Sequence, residues 1–122
     1  MGSAQQTGEN GESQAAEFLL YKGFEVLHRN WRTGHLEIDI IAKDGNRIVF
    51  IEVKSRYDKS GNMHPEDMVN AGKQKKLILA AQRYLRKFPH DGPLRFDVIS
   101  IVLTSFSRHL YYHPDAFFPL GD

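Results

Sequence analysis

A chain of 122 residues with 41% hydrophobic and 25% charged side chains can bury one core and has no room for a second domain. No apolar run approaches the roughly 20 residues that span a bilayer, nothing reads as a secretory leader, and the absence of cysteine removes disulfides and thiolate zinc sites, so a cytoplasmic protein with no membrane partner is expected. Sixteen basic against fifteen acidic residues exclude the bulk positive charge of a nucleic-acid coat protein, but an acidic metal site would offset a local basic surface in that total.

Residues 1–6 form a polar lead outside the expected domain, which spans 7–118 and leaves 119–122 as a tail. Thr7 offers an N-cap for a first helix ending near Lys22, where Gly23 supplies the left-handed terminating position. Glu12, Ala15, Ala16 and Leu19 fall on one stripe of this helix, which sets the Glu12 carboxylate among core-facing positions. It either complements the helix dipole or serves a site. Gly8 and Gly11 either admit a phosphate backbone or mark a frayed helix start.

Phe24–His28 reads as the first strand, followed by Arg29-Asn30-Trp31-Arg32. Arginines flanking a tryptophan can hold phosphate and stack a base, which makes Arg29 and Arg32 candidate nucleic-acid contacts, although Trp31 serves equally well as core. Thr33-Gly34 turns the chain into the segment that dominates the sequence, Leu36–Arg56.

That segment is two β-rich runs joined at Asp44-Gly45, a strong hairpin signal. Alternation puts Leu36, Ile38, Ile40 and Ala42 on one face of the first strand. Whether the turn is Asp44-Gly45 or Gly45-Asn46, Glu37, Asp39, Glu52 and Lys54 then share the opposite face at the open end of the hairpin. Two carboxylates about 5 Å apart repel by about 3 kcal/mol at an effective dielectric near 20, a cost that a cation removes. Mg²⁺ takes oxygen ligands and keeps several waters, so Asp39 and Glu52 are candidate metal ligands, and Lys54 could orient a bound water or stabilise an anionic transition state. An ordinary solvated Glu-x-Lys pair is the alternative reading.

Tyr57–Val69 lacks periodicity and reads as a loop able to contact or cover substrate, with His64 a candidate for proton transfer. Asn70 can cap a helix running to about Phe88. Its apolar arc is Leu77, Ile78, Ala81, Tyr84, Leu85 and Phe88. The opposite arc carries Lys75, Lys76, Arg83, Arg86 and Lys87, with Leu79 alone among them. This ridge is a solvated face or a phosphate-binding flank. Lys73, Gln74 and Lys76 near the helix start, and Arg56 at the end of the hairpin, are the candidate nucleic-acid contacts on this side. Arg95–Leu103 is a β-branched strand parallel to the second hairpin strand. Thr104–Ser107 turns it toward a shorter strand, Arg108–Tyr112, and Asp115–Phe118 is expected to pack back as a short turn.

Asp39 followed by Glu52-Val53-Lys54 resembles the Asp…(Asp/Glu)-x-Lys signature of the PD-(D/E)XK nuclease superfamily. With Gly8-x-x-Gly11-Glu12, Gly23-Phe24, Arg29-Asn30-Trp31-Arg32, Glu37-Ile38-Asp39, Arg95-Phe96-Asp97-Val98 and Asp115-Ala116-Phe117, the chain looks like the small YraN-like family of inferred endonucleases, itself similar to archaeal Holliday-junction resolvases. The resemblance implies an α/β fold of the restriction-endonuclease type, a mixed β-sheet with flanking helices in the order αβββαββ. It implies Mg²⁺ (or Mn²⁺) as cofactor, DNA as nucleic-acid partner, a homodimer, and hydrolysis of DNA phosphodiesters, including structured or branched DNA. It also implies Glu12, Asp39, Glu52 and Lys54 as catalytic residues, with Glu37 as an added acidic ligand, a support for one, or the partner of an arginine. Two other readings stand beside it: a nucleic-acid-binding module of the same fold that does not cut, and a metal-dependent hydrolase of small phosphorylated substrates.

Overall fold

The computed structural model describes residues 4–58 and 70–117, so the expected loop around His64 and the last residues, from Phe118 on, lie outside the described residues. The elements are α1 (Ala4–Tyr21), β1 (Glu25–Thr33), β2 (Leu36–Asp44), β3 (Arg47–Tyr57), α2 (Ala71–Lys87), β4 (Leu94–Leu103) and β5 (Arg108–Phe117). The five strands lie in sequence order in one sheet. Every neighbouring pair is antiparallel except β3 and β4, which run parallel and are joined through α2. This is the mixed α/β sheet of a restriction-endonuclease-like fold, in the order αβββαββ.

Two apolar clusters sandwich the sheet. One combines Ala15, Ala16 and Leu19 of α1 with Ile40, Ala42, Val49, Ile51, Ile99 and Ile101. The other combines Leu77, Ala80, Ala81 and Tyr84 of α2 with Ile41, Ile48, Phe50, Phe96, Val98 and Phe117. Strands β3 and β4 are apolar on both faces because both faces are covered by helices.

The boundaries differ from the sequence expectation in three places. Helix α1 begins at Ala4, so Thr7 lies inside it and is not its cap. Strand β1 continues through Arg29–Arg32 to Thr33, because those residues pair with Glu37, Ile38 and Ile40 of β2. Strand β5 runs to Phe117, whose ring stacks on Phe96 with centroids 5.1 Å apart, so Asp115-Ala116-Phe117 belongs to the sheet.

Asp44 pairs with Arg47, which makes Gly45-Asn46 the two-residue turn, and Gly45 takes the φ of 63° that glycine adopts without steric cost. Asn70 caps α2 as expected, its Oδ1 accepting from the Lys73 N–H at 2.9 Å.

Strict alternation along β2 does not hold. Ile40 and Ala42 pack in the α1 cluster, but Ile38 and Leu36 pack with the α2 cluster, so the hairpin face expected to carry all four is divided between the two helices. The slip falls at Asp39. Across from it on β1, Asn30 has a φ of 53°, and its neighbours pair as Arg29 with Ile40 and Trp31 with Ile38. Both strands therefore change phase at the same level. The β2–β3 pairing ends there as well, at Ile40 with Ile51.

A buried polar network holds the far side of the sheet. The Arg95 guanidinium donates from Nε and Nη2 to the two oxygens of Asp97 at 2.8 and 2.9 Å, and Tyr112 donates its hydroxyl to Asp97 Oδ2 at 2.5 Å. The Asp115 N–H, on a residue with φ of 54°, donates to Asp97 Oδ1 at 2.9 Å. Asp97 is fully buried, so this network keeps its charge satisfied while shaping the irregular pairing of β5. Burial, then Asp97, push the Tyr112 hydroxyl well above its ordinary pKa.

Candidate active site

Where β2 separates from β3, the ladder position of the Val53 N–H is taken by a side chain: Asp39 Oδ2 accepts it at 2.8 Å. This bond fixes the Asp39 carboxylate against β3 and directs it toward Glu52. Glu52 is only 4% exposed, and two amines meet its Oε1, Lys73 from α2 at 3.3 Å and Lys54 from β3 at 3.6 Å. A cavity of about 230 Å³ opens here, lined by His35, Glu37, Asp39, Glu52, Lys73 and Lys76, with Leu36 and Leu77 as its apolar wall.

Glu12 approaches from α1 because that helix comes unusually close to the sheet. A Cβ on Gly11 would overlap Ser55 Oγ, so Gly11 serves helix–strand contact and not the approach of a phosphate. Glu12 Oε1 is buried without a hydrogen-bond partner.

The electrostatics follow from crowding acids in a half-closed cleft. Burial, then Glu52, push the Asp39 carboxyl up to about 8, against the opposing Val53 N–H. Burial also raises Glu12, with Glu37 and Glu52 adding to it and Arg29 and Asn30 working against it. Burial lowers the Lys54 amine, and the neighbouring Lys73 lowers it further. Burial likewise pulls on Lys73, but its contacts with Lys54 and Glu52 prevail and hold it above the ordinary lysine value.

These features fit a divalent cation. Asp39 and Glu52 offer carboxylate oxygens on one cleft, Glu12 Oε1 is buried without a hydrogen-bond partner, and Glu52 already carries positive charge in the form of the Lys73 ammonium. Among the described residues no three His, Asp or Glu side chains form a ready-made metal cage, so Asp39 and Glu52 would supply the protein ligands and water the rest.

The remaining sequence candidates divide between structure and surface. Glu37 pairs with Arg32 at 2.8 Å, so the choice left open for Glu37 falls to the arginine, though it still lines the cavity. Arg29 donates to Ser13 Oγ at 3.3 Å and is exposed. Trp31 meets Tyr84 edge-on at 5.3 Å and packs on the α2 cluster, which assigns it to the core. Arg56 is exposed at the end of β3, and Gln74 is half-buried on the first turn of α2. Lys76 reaches the cavity, whereas Arg83 of the basic ridge is 3.5 Å from the Thr33 carbonyl and ties α2 to the β1–β2 turn.

Three participants were not singled out by sequence. The Val53 N–H carries no side-chain signal. His35 reaches the cavity because the β1–β2 turn sits beside α2, which local sequence does not reveal. Asn30 does carry one signal, an asparagine inside a strand, a residue that tolerates positive φ.

Residues 11–101 match the family described as "Uncharacterised protein family UPF0102". A UPF0102 protein of Phocaeicola vulgatus is 41% identical over 113 residues, covering 92% of each chain. One from Chloroherpeton thalassium is 41% identical over 114 residues, covering 91% of this chain and 88% of the relative. One from Thermodesulfovibrio yellowstonii is 52% identical over 95 residues, covering 77% and 83%. The chain belongs to the UPF0102 family, which is the YraN-like family its motifs resemble.

Proposed function

We propose that this protein is a metal-dependent endonuclease that hydrolyses DNA phosphodiesters. The observation that carries the reading is the meeting of Asp39, Glu52 and Lys73 in one cleft at the point where β2 leaves β3, with Lys54 paired to the same oxygen of Glu52 from β3. A fold gains nothing from opening its central sheet to crowd acids together, but a site that must take up a cation and an anionic substrate does.

In this reading Asp39 and Glu52 would hold Mg²⁺ or Mn²⁺, with Glu12 assisting from α1. When bound, the ion would lower the pKa of a coordinated water and offset the charge that develops on the phosphoryl oxygens. The chain's own part is positioning. The Val53 N–H holds Asp39 in place, and Leu36 and Leu77 form the apolar wall of the cavity. The Lys54 amine, on β3 beside Glu52, orients the attacking water toward phosphorus. Hydrolysis forms one bond from the water oxygen to phosphorus and breaks one from phosphorus to a sugar oxygen; the attacking water gives up one proton to solvent and the departing oxygen takes one from it. Arg29, Arg56, Gln74 and Lys76 supply backbone contacts around the cleft.

The test is a cleavage screen over linear, nicked and branched DNA with Mg²⁺ or Mn²⁺, comparing wild type with Asp39→Asn and Lys54→Met. Metal-dependent cleavage lost in both variants is expected. Cleavage that both variants retain, or DNA bound and never cut by wild type, overturns the nuclease reading, the second result in favour of a binding module.

A further inference from the structure

Two amines compete for one oxygen of Glu52, and they are not equivalent. Lys54 rises from a strand inside the sheet. Lys73 stands on the first turn of α2, where the Asn70 cap pins its backbone N–H at 2.9 Å while its side chain stays 40% exposed. Its four-carbon stem can therefore carry the ammonium elsewhere without moving the helix. Lys73 is also the nearer of the two, at 3.3 Å against 3.6 Å.

We propose that Lys73 is a second positioning amine of this site: it fills the cation position on Glu52 in the metal-free protein and moves onto the substrate phosphate when a divalent cation takes that position. The inference rests on the metal-dependent reading and extends it. An ammonium 3.3 Å from Glu52 Oε1 cannot stay beside a dication bound to the same carboxylate without strong like-charge repulsion. The cavity it lines, with Lys76 and His35, gives it somewhere to go. Lys73 and Lys76 line this cavity together with the acids, so the displaced amine and an incoming phosphate meet in one place.

The arrangement makes metal-free Glu52 neutralised and the cation affinity lower than the carboxylates alone would give. Metal and substrate binding become coupled, because each relieves a cost set by the same lysine.

The test measures Mn²⁺ uptake by calorimetry on the full chain without nucleic acid, for wild type, Lys73→Gln, Lys73→Arg and Lys76→Gln. Lys73→Gln should bind Mn²⁺ more tightly, on the order of fivefold for a half-exposed amine. Lys73→Arg should stay near wild type. Lys76→Gln removes the same charge from the cavity wall without touching Glu52 and should change affinity by less than about twofold. DNA affinity in Ca²⁺ should fall in Lys73→Gln, while DNA affinity in chelator should not. Mn²⁺ bound by wild type with an affinity that Lys73→Gln leaves unchanged or weakens overturns this inference alone. No Mn²⁺ uptake by either protein overturns the metal-dependent reading and this inference with it.

Discussion

Replacing Asp39 by asparagine removes a charge, keeps the shape, and leaves an amide oxygen to accept the Val53 N–H. In the metal-free protein burial first and Glu52 second push this carboxyl from 3.8 up to about 8. An acid whose folded pKa lies above its unfolded value favours the fold while protonated. Its contribution is complete below 3.8 and is lost as the pH rises through about 8. That interval sets a ceiling of about 6 kcal/mol, and water entering an open cleft reduces the expected effect to on the order of 2 kcal/mol. Asp39→Asn should therefore match wild type within about 0.5 kcal/mol near pH 3.5, pull ahead as the pH climbs above 3.8, and exceed it by about 2 kcal/mol near pH 9. Urea unfolding in chelator at a series of pH values measures this directly. Millimolar Mg²⁺ should then stabilise wild type and leave the variant nearly unaffected. A variant weaker than wild type by about 3 to 5 kcal/mol at every pH would refute the reasoning, because that is the cost of breaking a structural buried pair.

The Arg95–Asp97 network should behave in the opposite way: Asp97→Asn leaves a half-buried guanidinium without its partner and should cost about 3 to 5 kcal/mol by urea unfolding, with Mn²⁺ affinity per folded molecule unchanged. Gly11→Ala should destabilise by about 1 to 3 kcal/mol because its Cβ meets Ser55 Oγ; the double variant with Ser55→Gly should recover most of that loss in a mutant cycle. Binding to DNA should weaken steeply with salt, and replacing Lys75 and Lys76 by alanine should lower the log–log slope by roughly 0.9 for each phosphate that is no longer neutralised. An unchanged slope would return the outer face of α2 to the status of a solvated surface.

Much of this fold is written in local chemistry. The turn at Gly45-Asn46, the Asn70 cap, the two arcs of α2 and the β-branched runs of β3 and β4 each depend on residues a few positions apart, so periodicity and turn preference suffice to read them. The acidic hairpin end and its lysine were legible for the same reason, since alternation along two adjacent strands brings Asp39, Glu52 and Lys54 to one neighbourhood. Alternation fails at the level of Asp39. Leu36 and Ile38 change faces because Asn30 and Asp39 slip phase together, and a slip in two paired strands depends on their register and on both helices covering the sheet. The approach of Glu12 past Gly11, the second amine of Lys73 and the presence of His35 in the cavity join elements far apart in the chain. Sequence alone named the acids and their hairpin; only the packing of α1 and α2 on opposite faces of one opened sheet decided which other groups reach them.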